Sequence, residues 1–166
     1  MHVMAPRSMM RAAWLIALFA LPQAAIAQSA GSAFTGLSGS WSGNGRVKFD
    51  GGQSEAVKCV AYYKDRDGGA GVGLAVRCSS ASGGGIELRA NLAATGTAVT
   101  GTWEERKYNA AGNLTGQSDG RRISLTIDGG GLSGTMTVTT NGRKQALAFV
   151  SQGSALQGVD IDLSRD

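Results

Sequence analysis

The chain of 166 residues carries 16 basic and 12 acidic residues, a net charge of +4 at neutral pH, and only one histidine, His2. The excess of cations is too small for a surface that follows a nucleic-acid backbone, and the length suits one domain with a single core. Because the histidine stands beside the first residue, any reaction that needs an imidazole depends on whether the N-terminal segment is kept.

The first 27 residues have the pattern of a secretory signal peptide. Arg7 and Arg11 precede an apolar stretch over residues 14–21, and Ala25-Ile26-Ala27 is a cleavage site of the small-x-small type. The apolar stretch is shorter than the roughly 20 residues that cross a bilayer as a helix. We therefore expect a signal-peptide helix that is cleaved after Ala27, and export to the periplasm or the extracellular medium.

Cleavage after Ala27 limits the functions that are open to the protein. It removes Arg7, Arg11 and His2, so 14 of the 16 basic residues remain against 12 acidic ones, and no imidazole is left. No second apolar stretch follows, so we expect a chain that does not span a membrane. We predict a flexible segment over 28–36, one domain over 37–166, no cofactor, no metal, no nucleic-acid partner, and a monomer.

Apolar residues alternate with polar ones from Trp41 to the C-terminus, whereas no helical stripe exceeds two turns. The alternation predicts nine strands, at 41–49, 57–63, 72–78, 86–92, 99–103, 123–127, 132–138, 147–149 and 159–163. Each strand has one apolar and one polar face, which is typical of antiparallel sheets. Closure removes unprotected edges, so we predict an all-β, antiparallel up-and-down barrel of about eight to ten strands. A two-sheet β-sandwich is the alternative.

Three turns predict how neighbouring strands align. A turn centred between Gly68 and Gly69 places Cys59 directly opposite Cys78 on the inward face, which in an oxidising compartment predicts a structural disulfide. The same register pairs Tyr63 with Leu74 and Ala61 with Val76. An Asn141-Gly142 loop sets Gly134 opposite Phe149 and Met136 opposite Leu147. A five-residue loop in the first hairpin sets Tyr63 opposite Trp41.

Candidate catalytic groups fail on geometry. Glu104 and Glu105 are neighbours on a strand and point to opposite faces, so they cannot flank one bond, and we expect a solvated strand end. The Asp65-Arg66-Asp67-Gly68 run begins like a calcium loop, but Val76 occupies the position of its last carboxylate ligand. We therefore predict that the protein is not an enzyme.

Three aromatic residues are the candidates for contact with a ligand: Trp41, Tyr63 and Trp103. Aromatic side chains offer flat, rigid contact area, which suits an apolar ligand. The same rings can instead fill the core, and this alternative stays open.

Two short motifs, Gly39-Ser40-Trp41 on the first strand and Leu163-Ser164-Arg165 on the last, resemble the calycin pattern. That superfamily includes lipocalins, fatty-acid-binding proteins, avidins and small bacterial inhibitors of secreted metalloproteases. The resemblance implies an up-and-down barrel in which Arg165 stacks on Trp41 and closes one end. The chain departs from the lipocalins in lacking their Thr-Asp-Tyr motif, and nine strands exceed the usual eight.

Two functions of different class follow. The first is an exported carrier or sensor that holds a small apolar ligand within or at the mouth of the barrel. The second is a protein-binding module, such as a secreted-protease inhibitor, that acts through loops or the start of the mature chain. Glycines at 43, 45, 101 and 134 thin the barrel wall. A cavity of at least about 300 Å³ would favour the carrier, and a filled interior would favour loop recognition.

Overall fold

The structure is a computed structural model, and it describes residues 32–166. The predicted signal-peptide helix and cleavage site lie outside the described residues. Within residues 32–166 the chain forms ten strands and two short 3₁₀ turns. The strands are β1 Gly39–Phe49, β2 Ser54–Arg66, β3 Gly71–Ser80, β4 Gly85–Thr95, β5 Ala98–Glu105, β6 Ala110–Ser118, β7 Arg122–Gly129, β8 Leu132–Asn141, β9 Lys144–Ser151 and β10 Leu156–Arg165.

Each strand pairs antiparallel with its neighbours in the sequence, and β1 also pairs with β10, so the sheet is a closed up-and-down barrel. The predicted all-β barrel is confirmed, and the two-sheet sandwich is wrong. Closure gives every strand two hydrogen-bonded neighbours, so the sheet has no open edge. The inward face of each strand contributes to one hydrophobic core.

Of the ten strands, β6 is the one that the alternation of apolar and polar residues did not predict. Its inward positions include Gly112, Leu114, Gly116 and Ser118, so only one of them carries a large apolar side chain. A Cβ on Gly112 or Gly116 would collide with a carbonyl oxygen of β7. These glycines let β6 coil closely against β7, as a closed sheet requires, and they also hide the strand from a search for alternating apolar residues.

The hairpin of β2 and β3 has the predicted register. Cys59 lies directly opposite Cys78, Tyr63 opposite Leu74, and Ala61 opposite Val76. The two cysteines form a disulfide, and no free cysteine occurs in the described part of the chain. The bond joins neighbouring strands across the inward face of the barrel.

Two other predicted registers are wrong by two residues. β8 continues to Asn141, which pairs with Lys144, so the loop is Gly142-Arg143 and Gly134 lies opposite Ser151. Of the two loop residues only Gly142 has a positive φ (58°), and glycine therefore takes the first position of the loop. Consequently Met136 pairs with Phe149.

In the first hairpin the loop is residues 49–53, so Tyr63 lies opposite Gly39, while Trp41 lies opposite Ala61. A shift by two residues leaves the same side chains facing inward, because side chains alternate with a period of two. The predicted core is therefore unaffected by either error in register.

The two ends of the barrel differ. We call the end where β1 begins and β10 ends the closed end, because residues 33–37 pack there with Ala33, Phe34 and Leu37 buried. The Ser118 hydroxyl donates a hydrogen bond to the Ala33 carbonyl, and the Ser32 hydroxyl donates to the Gly69 carbonyl. The described part of the segment that we expected to be flexible therefore packs against the barrel. We call the opposite end the mouth.

Removal of the disulfide by the double substitution Cys59→Ala/Cys78→Ala is expected to lower the free energy of unfolding by about 3 kcal/mol. The bond closes a loop between residues 19 apart in the sequence, and it restricts the unfolded chain accordingly. Urea unfolding at neutral pH, followed by circular dichroism, measures the change. An unchanged unfolding midpoint in the double variant would contradict this stabilising role.

Candidate functional site

A cavity of about 320 Å³ opens at the mouth of the barrel. Its walls come from the inward faces of β3 to β10 and from the turns at that end, and they are almost entirely apolar. The side chains that form the deeper walls are Leu74, Val76, Leu88, Trp103, Ile127, Met136, Leu147, Phe149, Val159 and Ile161. Nearer the opening the walls are formed by Cys78, Ile86, Glu105, Tyr108, Ala110, Gly130, Gly131, Leu132, Ser154 and Leu156.

In the described part of the chain, Glu105 is the one carboxylate that lines the cavity, and its hydrogen bonds show its role in the fold. The residue is only 8% exposed, so the predicted solvated strand end is wrong for Glu105. One carboxylate oxygen accepts a hydrogen bond from the backbone N–H of Glu87 (2.8 Å), and the other accepts from that of Tyr108 (2.6 Å). Glu105 therefore fixes the turn between β5 and β6 against β4.

Tyr108 is presented at the mouth by this turn. Its side chain is 68% exposed, although it lines the cavity. The neighbouring Asn109 has a positive φ of 52°, a conformation that asparagine adopts more readily than most residues. An exposed aromatic ring beside an apolar cavity offers a contact surface to a molecule that enters.

Trp103, one of the three predicted candidate contacts for a ligand, lies in the cavity wall. It is buried, and in the sheet it lies opposite Gly112 of β6. Its indole Nε1 has no hydrogen-bond partner within residues 32–166, and a Cβ on Gly112 would lie 2.8 Å from that nitrogen. The missing side chain of Gly112 is therefore what leaves room for the indole.

Trp41 lies at the closed end and does not line the cavity. It is fully buried, and its Nε1 donates a hydrogen bond to the Leu37 carbonyl oxygen at 2.8 Å. The guanidinium carbon of Arg165 lies 4.6 Å from the centre of the Trp41 ring. The same guanidinium group donates hydrogen bonds to the Gly36 and Ser38 carbonyls, so it joins the N-terminal segment to the end of β10.

Tyr63 also packs at the closed end. Its ring meets Trp41 edge-on, with ring centroids 6.5 Å apart, and its hydroxyl donates a hydrogen bond to Gln145 Oε1 at 2.7 Å. Gln145 Nε2 donates in turn to the Thr140 hydroxyl. Burial raises the pKa of Tyr63 well above its usual range, and the hydrogen bond to Gln145 offsets part of that rise. Of the three predicted contact residues, only Trp103 borders the cavity.

Other lining residues escaped the sequence analysis as candidate contacts. Met136 and Phe149 were recognised as inward-facing, but nothing in their spacing distinguished a cavity wall from a packed core. Tyr108 lies in a turn and has no periodicity to reveal it. Within residues 32–166 no group of three or more His, Cys, Asp or Glu side chains is placed to hold a metal ion. No helix among these residues is long and apolar enough to cross a membrane.

Comparison with known proteins shows that this chain resembles solved structures in its fold. No family model and no curated protein matches the chain. The crystal structure of Rv2717c from M. tuberculosis is similar over 84% of this chain and 98% of that one, with 17% identity and a TM-score of 0.62. The S-type phycobiliprotein lyase CPES from Guillardia theta is similar over 78% of this chain and 88% of its own, with 13% identity and a TM-score of 0.55.

The buried Tyr63 hydroxyl predicts a dependence of stability on pH. Because its pKa is raised in the folded state, its contribution is complete below the unfolded pKa of about 10 and is lost as the pH rises towards the folded value. Tyr63→Phe is expected to lower the free energy of unfolding at pH 8 by about 1–3 kcal/mol, since Gln145 Oε1 loses its donor.

The difference between the wild type and Tyr63→Phe should narrow by roughly 1 kcal/mol from pH 8 to pH 11. Urea unfolding of both proteins at the two pH values measures this, and the other titrating groups cancel in the comparison. A constant difference would show that Tyr63 ionises equally well in the folded and unfolded states, and a wider one that it ionises more readily in the folded state; either result contradicts the prediction.

Proposed function

We propose that the protein is a non-catalytic binding protein that holds a small apolar ligand in the cavity at the mouth of the barrel. The observation that carries this proposal is an apolar cavity of about 320 Å³ that is open at one end. Binding sites for small molecules are concave, largely apolar and about 300–1,000 Å³ in volume. The cavity lies at the lower end of that range.

The volume limits the size of the ligand. A cavity of roughly 150 Å³ accepts benzene, so this one suits an apolar body about twice as large, such as two fused rings or a medium-length alkyl chain. Burial of about 300 Å² of apolar ligand surface contributes roughly 7 kcal/mol before the entropy lost on association is subtracted. Without the entropy loss this free energy would correspond to a dissociation constant of about 10 μM, so the expected constants lie between roughly 10 μM and 1 mM.

The cavity favours this function over a protein-binding module. A barrel that acts only through its loops has no need of a hollow interior, and small barrels are commonly filled by side chains. The N-terminal segment, which would be the inhibitory element in the alternative, is described from Ser32 onward, and that part packs at the closed end. The absence of catalysis is supported by Glu105, whose two carboxylate oxygens already accept backbone hydrogen bonds.

Two neighbouring alanines of β6 allow a matched test of the cavity. Ala110 lines the cavity, whereas Ala111 is exposed on the outer face of the same strand. We expect Ala110→Phe to weaken binding of the neutral fluorophore N-phenyl-1-naphthylamine at least about tenfold, because the new ring occupies the ligand's volume. Ala111→Phe should bind the fluorophore as the wild type does. Fluorescence titration measures both affinities.

Urea unfolding of the two variants serves as the control, since a loss of binding counts only if Ala110→Phe remains folded. Equal binding by Ala110→Phe and the wild type would place the fluorophore outside the cavity and contradict the proposal. Native mass spectrometry of protein purified from its source provides an independent check, because a retained ligand adds its own mass to the chain.

We also propose that the protein is exported. The proposal is supported by the signal-peptide pattern of residues 1–27 and by the disulfide, which is a bond that persists in oxidising compartments. Expression of the full-length chain in a bacterial host is expected to yield a soluble periplasmic protein whose first residue is Gln28. N-terminal sequencing of the protein in the periplasmic and cytoplasmic fractions tests this. An uncleaved chain confined to the cytoplasm would contradict the proposal.

A further inference from the structure

We propose that the ligand is an amphipathic anion, whose apolar body fills the cavity and whose anionic group lies in a basic groove just outside the mouth. This inference rests on the proposed binding function. The anionic group belongs to the class of carboxylates, sulfates and phosphates, which cationic side chains recognise through charge-assisted hydrogen bonds.

The basic groove is a depression of about 830 Å³ on the outer surface near the mouth. Its cationic side chains come from three parts of the fold: Lys58 of β2, Arg77 of β3, and Arg106 and Lys107 of the turn between β5 and β6. Among the described residues, Glu87 of β4 is the one acidic residue that lines it. The groove therefore has an excess of three positive charges.

Most of this positive charge is unpaired. Glu87 bonds to Arg77 at 3.0 Å, and this contact holds the pKa of the Glu87 carboxyl below its usual range. Within residues 32–166, Lys58, Arg106 and Lys107 form no salt bridge. An anion that enters the groove therefore meets three cations that are not already neutralised by an acid in contact with them.

The groove and the cavity meet at the rim of the barrel. Cys78 and Ile86 line both of them. At this point the groove is bordered by Gly84 and Gly85, which add no side chain of their own between the outer groove and the mouth. Lys107 Nζ lies 5.9 Å from the ring centroid of Tyr108, which itself lines the cavity. A molecule seated in the cavity thus has a cation at its exit.

One acidic group stands near this passage. Glu55 of β2 lies beside Gly84 and accepts a hydrogen bond from the Ser82 hydroxyl, and that bond lowers the pKa of its carboxyl. Glu55 does not line the groove. Its charge disfavours an anion on its own side of Gly84, so the anionic group is directed towards Arg106 and Lys107.

The turn residues allow a test that changes charge and leaves the backbone bonds in place. Arg106 bonds to the Glu87 carbonyl through its backbone N–H, which a side-chain substitution retains. The test variant is Arg106→Gln/Lys107→Gln. The control is Arg121→Gln/Arg122→Gln at the closed end, which removes the same charge where Asp119 accepts hydrogen bonds only from the backbone of that pair.

The probes are decanoate and 1-decanol, which share an alkyl chain and differ in charge, each displacing N-phenyl-1-naphthylamine from the cavity. Exposed charge pairs contribute modestly, so the loss of two cations should weaken decanoate binding about three- to tenfold. The affinity for 1-decanol should not change. The control variant should bind both compounds as the wild type does, and added salt should weaken only decanoate.

The outcomes separate this inference from the function on which it rests. If none of the three compounds binds to the wild type, the proposed function itself is wrong. If 1-decanol and the fluorophore bind, but decanoate binds equally to the wild type and to Arg106→Gln/Lys107→Gln, the inference is overturned and the binding function stands. An equal loss of decanoate affinity in the control variant would also overturn it, because net charge rather than the groove would then be responsible.

Discussion

The pairing of β1 with β10 is the constraint on which the rest of the structure depends. It closes a row of hairpins into a barrel, and only a closed barrel has an interior. Trp41 and Arg165 lie opposite each other at the end of this seam, and the guanidinium stacks on the indole. The Arg165 guanidinium also donates hydrogen bonds to the Gly36 and Ser38 carbonyls. The group at the end of the β1–β10 pairing therefore also holds the N-terminal segment against the barrel. A cation–π contact of this kind contributes about 0.5–2 kcal/mol and gains strength as water is excluded.

The asymmetry of the barrel follows from where its large side chains are placed. At the closed end Phe34, Leu37, Trp41 and Tyr63 fill the interior, and the Tyr63 hydroxyl is satisfied by Gln145. Towards the mouth small residues lie between the aliphatic side chains, and no chain segment covers the opening in the described structure. One barrel therefore has a packed half, which supplies stability, and a hollow half, which is available for binding.

The barrel topology and the disulfide could be predicted from the sequence, whereas the candidate site could not. Cys59 and Cys78 could be aligned because the turn between their strands is symmetric about Gly68 and Gly69, and one alignment fixes every pair in that hairpin. The loop at Gly142 was misplaced because a single positive φ selects the residue that begins a loop, and the neighbouring asparagine was an equally good candidate. β6 was missed because its inward glycines allow the sheet to curve but have no apolar side chains, so the strand lacks the alternation by which the other strands were predicted.

The site could not be predicted because a wall and a core are made of the same residues. Trp41 and Trp103 both occupy inward positions on strands, yet one is enclosed by the N-terminal segment and the other borders a cavity. That difference depends on what fills the space beyond each ring, which is a property of the whole barrel and not of the local sequence. Glu105 is a similar case, since its burial follows from two backbone N–H groups that only the folded turn brings to it.

The distribution of charge around the mouth limits how any ligand can be bound. Among residues 32–166, no cationic side chain lines the cavity, and the one carboxylate that lines it is already hydrogen-bonded. A charged group carried inside would lose its hydration without gaining a partner, which costs several kcal/mol even after the protein relaxes. In the proposed binding mode, the charged part of a ligand therefore stays outside, at the rim, where water remains and where Arg106 and Lys107 lie. In this binding mode, the cavity walls select the apolar body and the cations of the basic groove select the anionic group, so the two tasks belong to different residues.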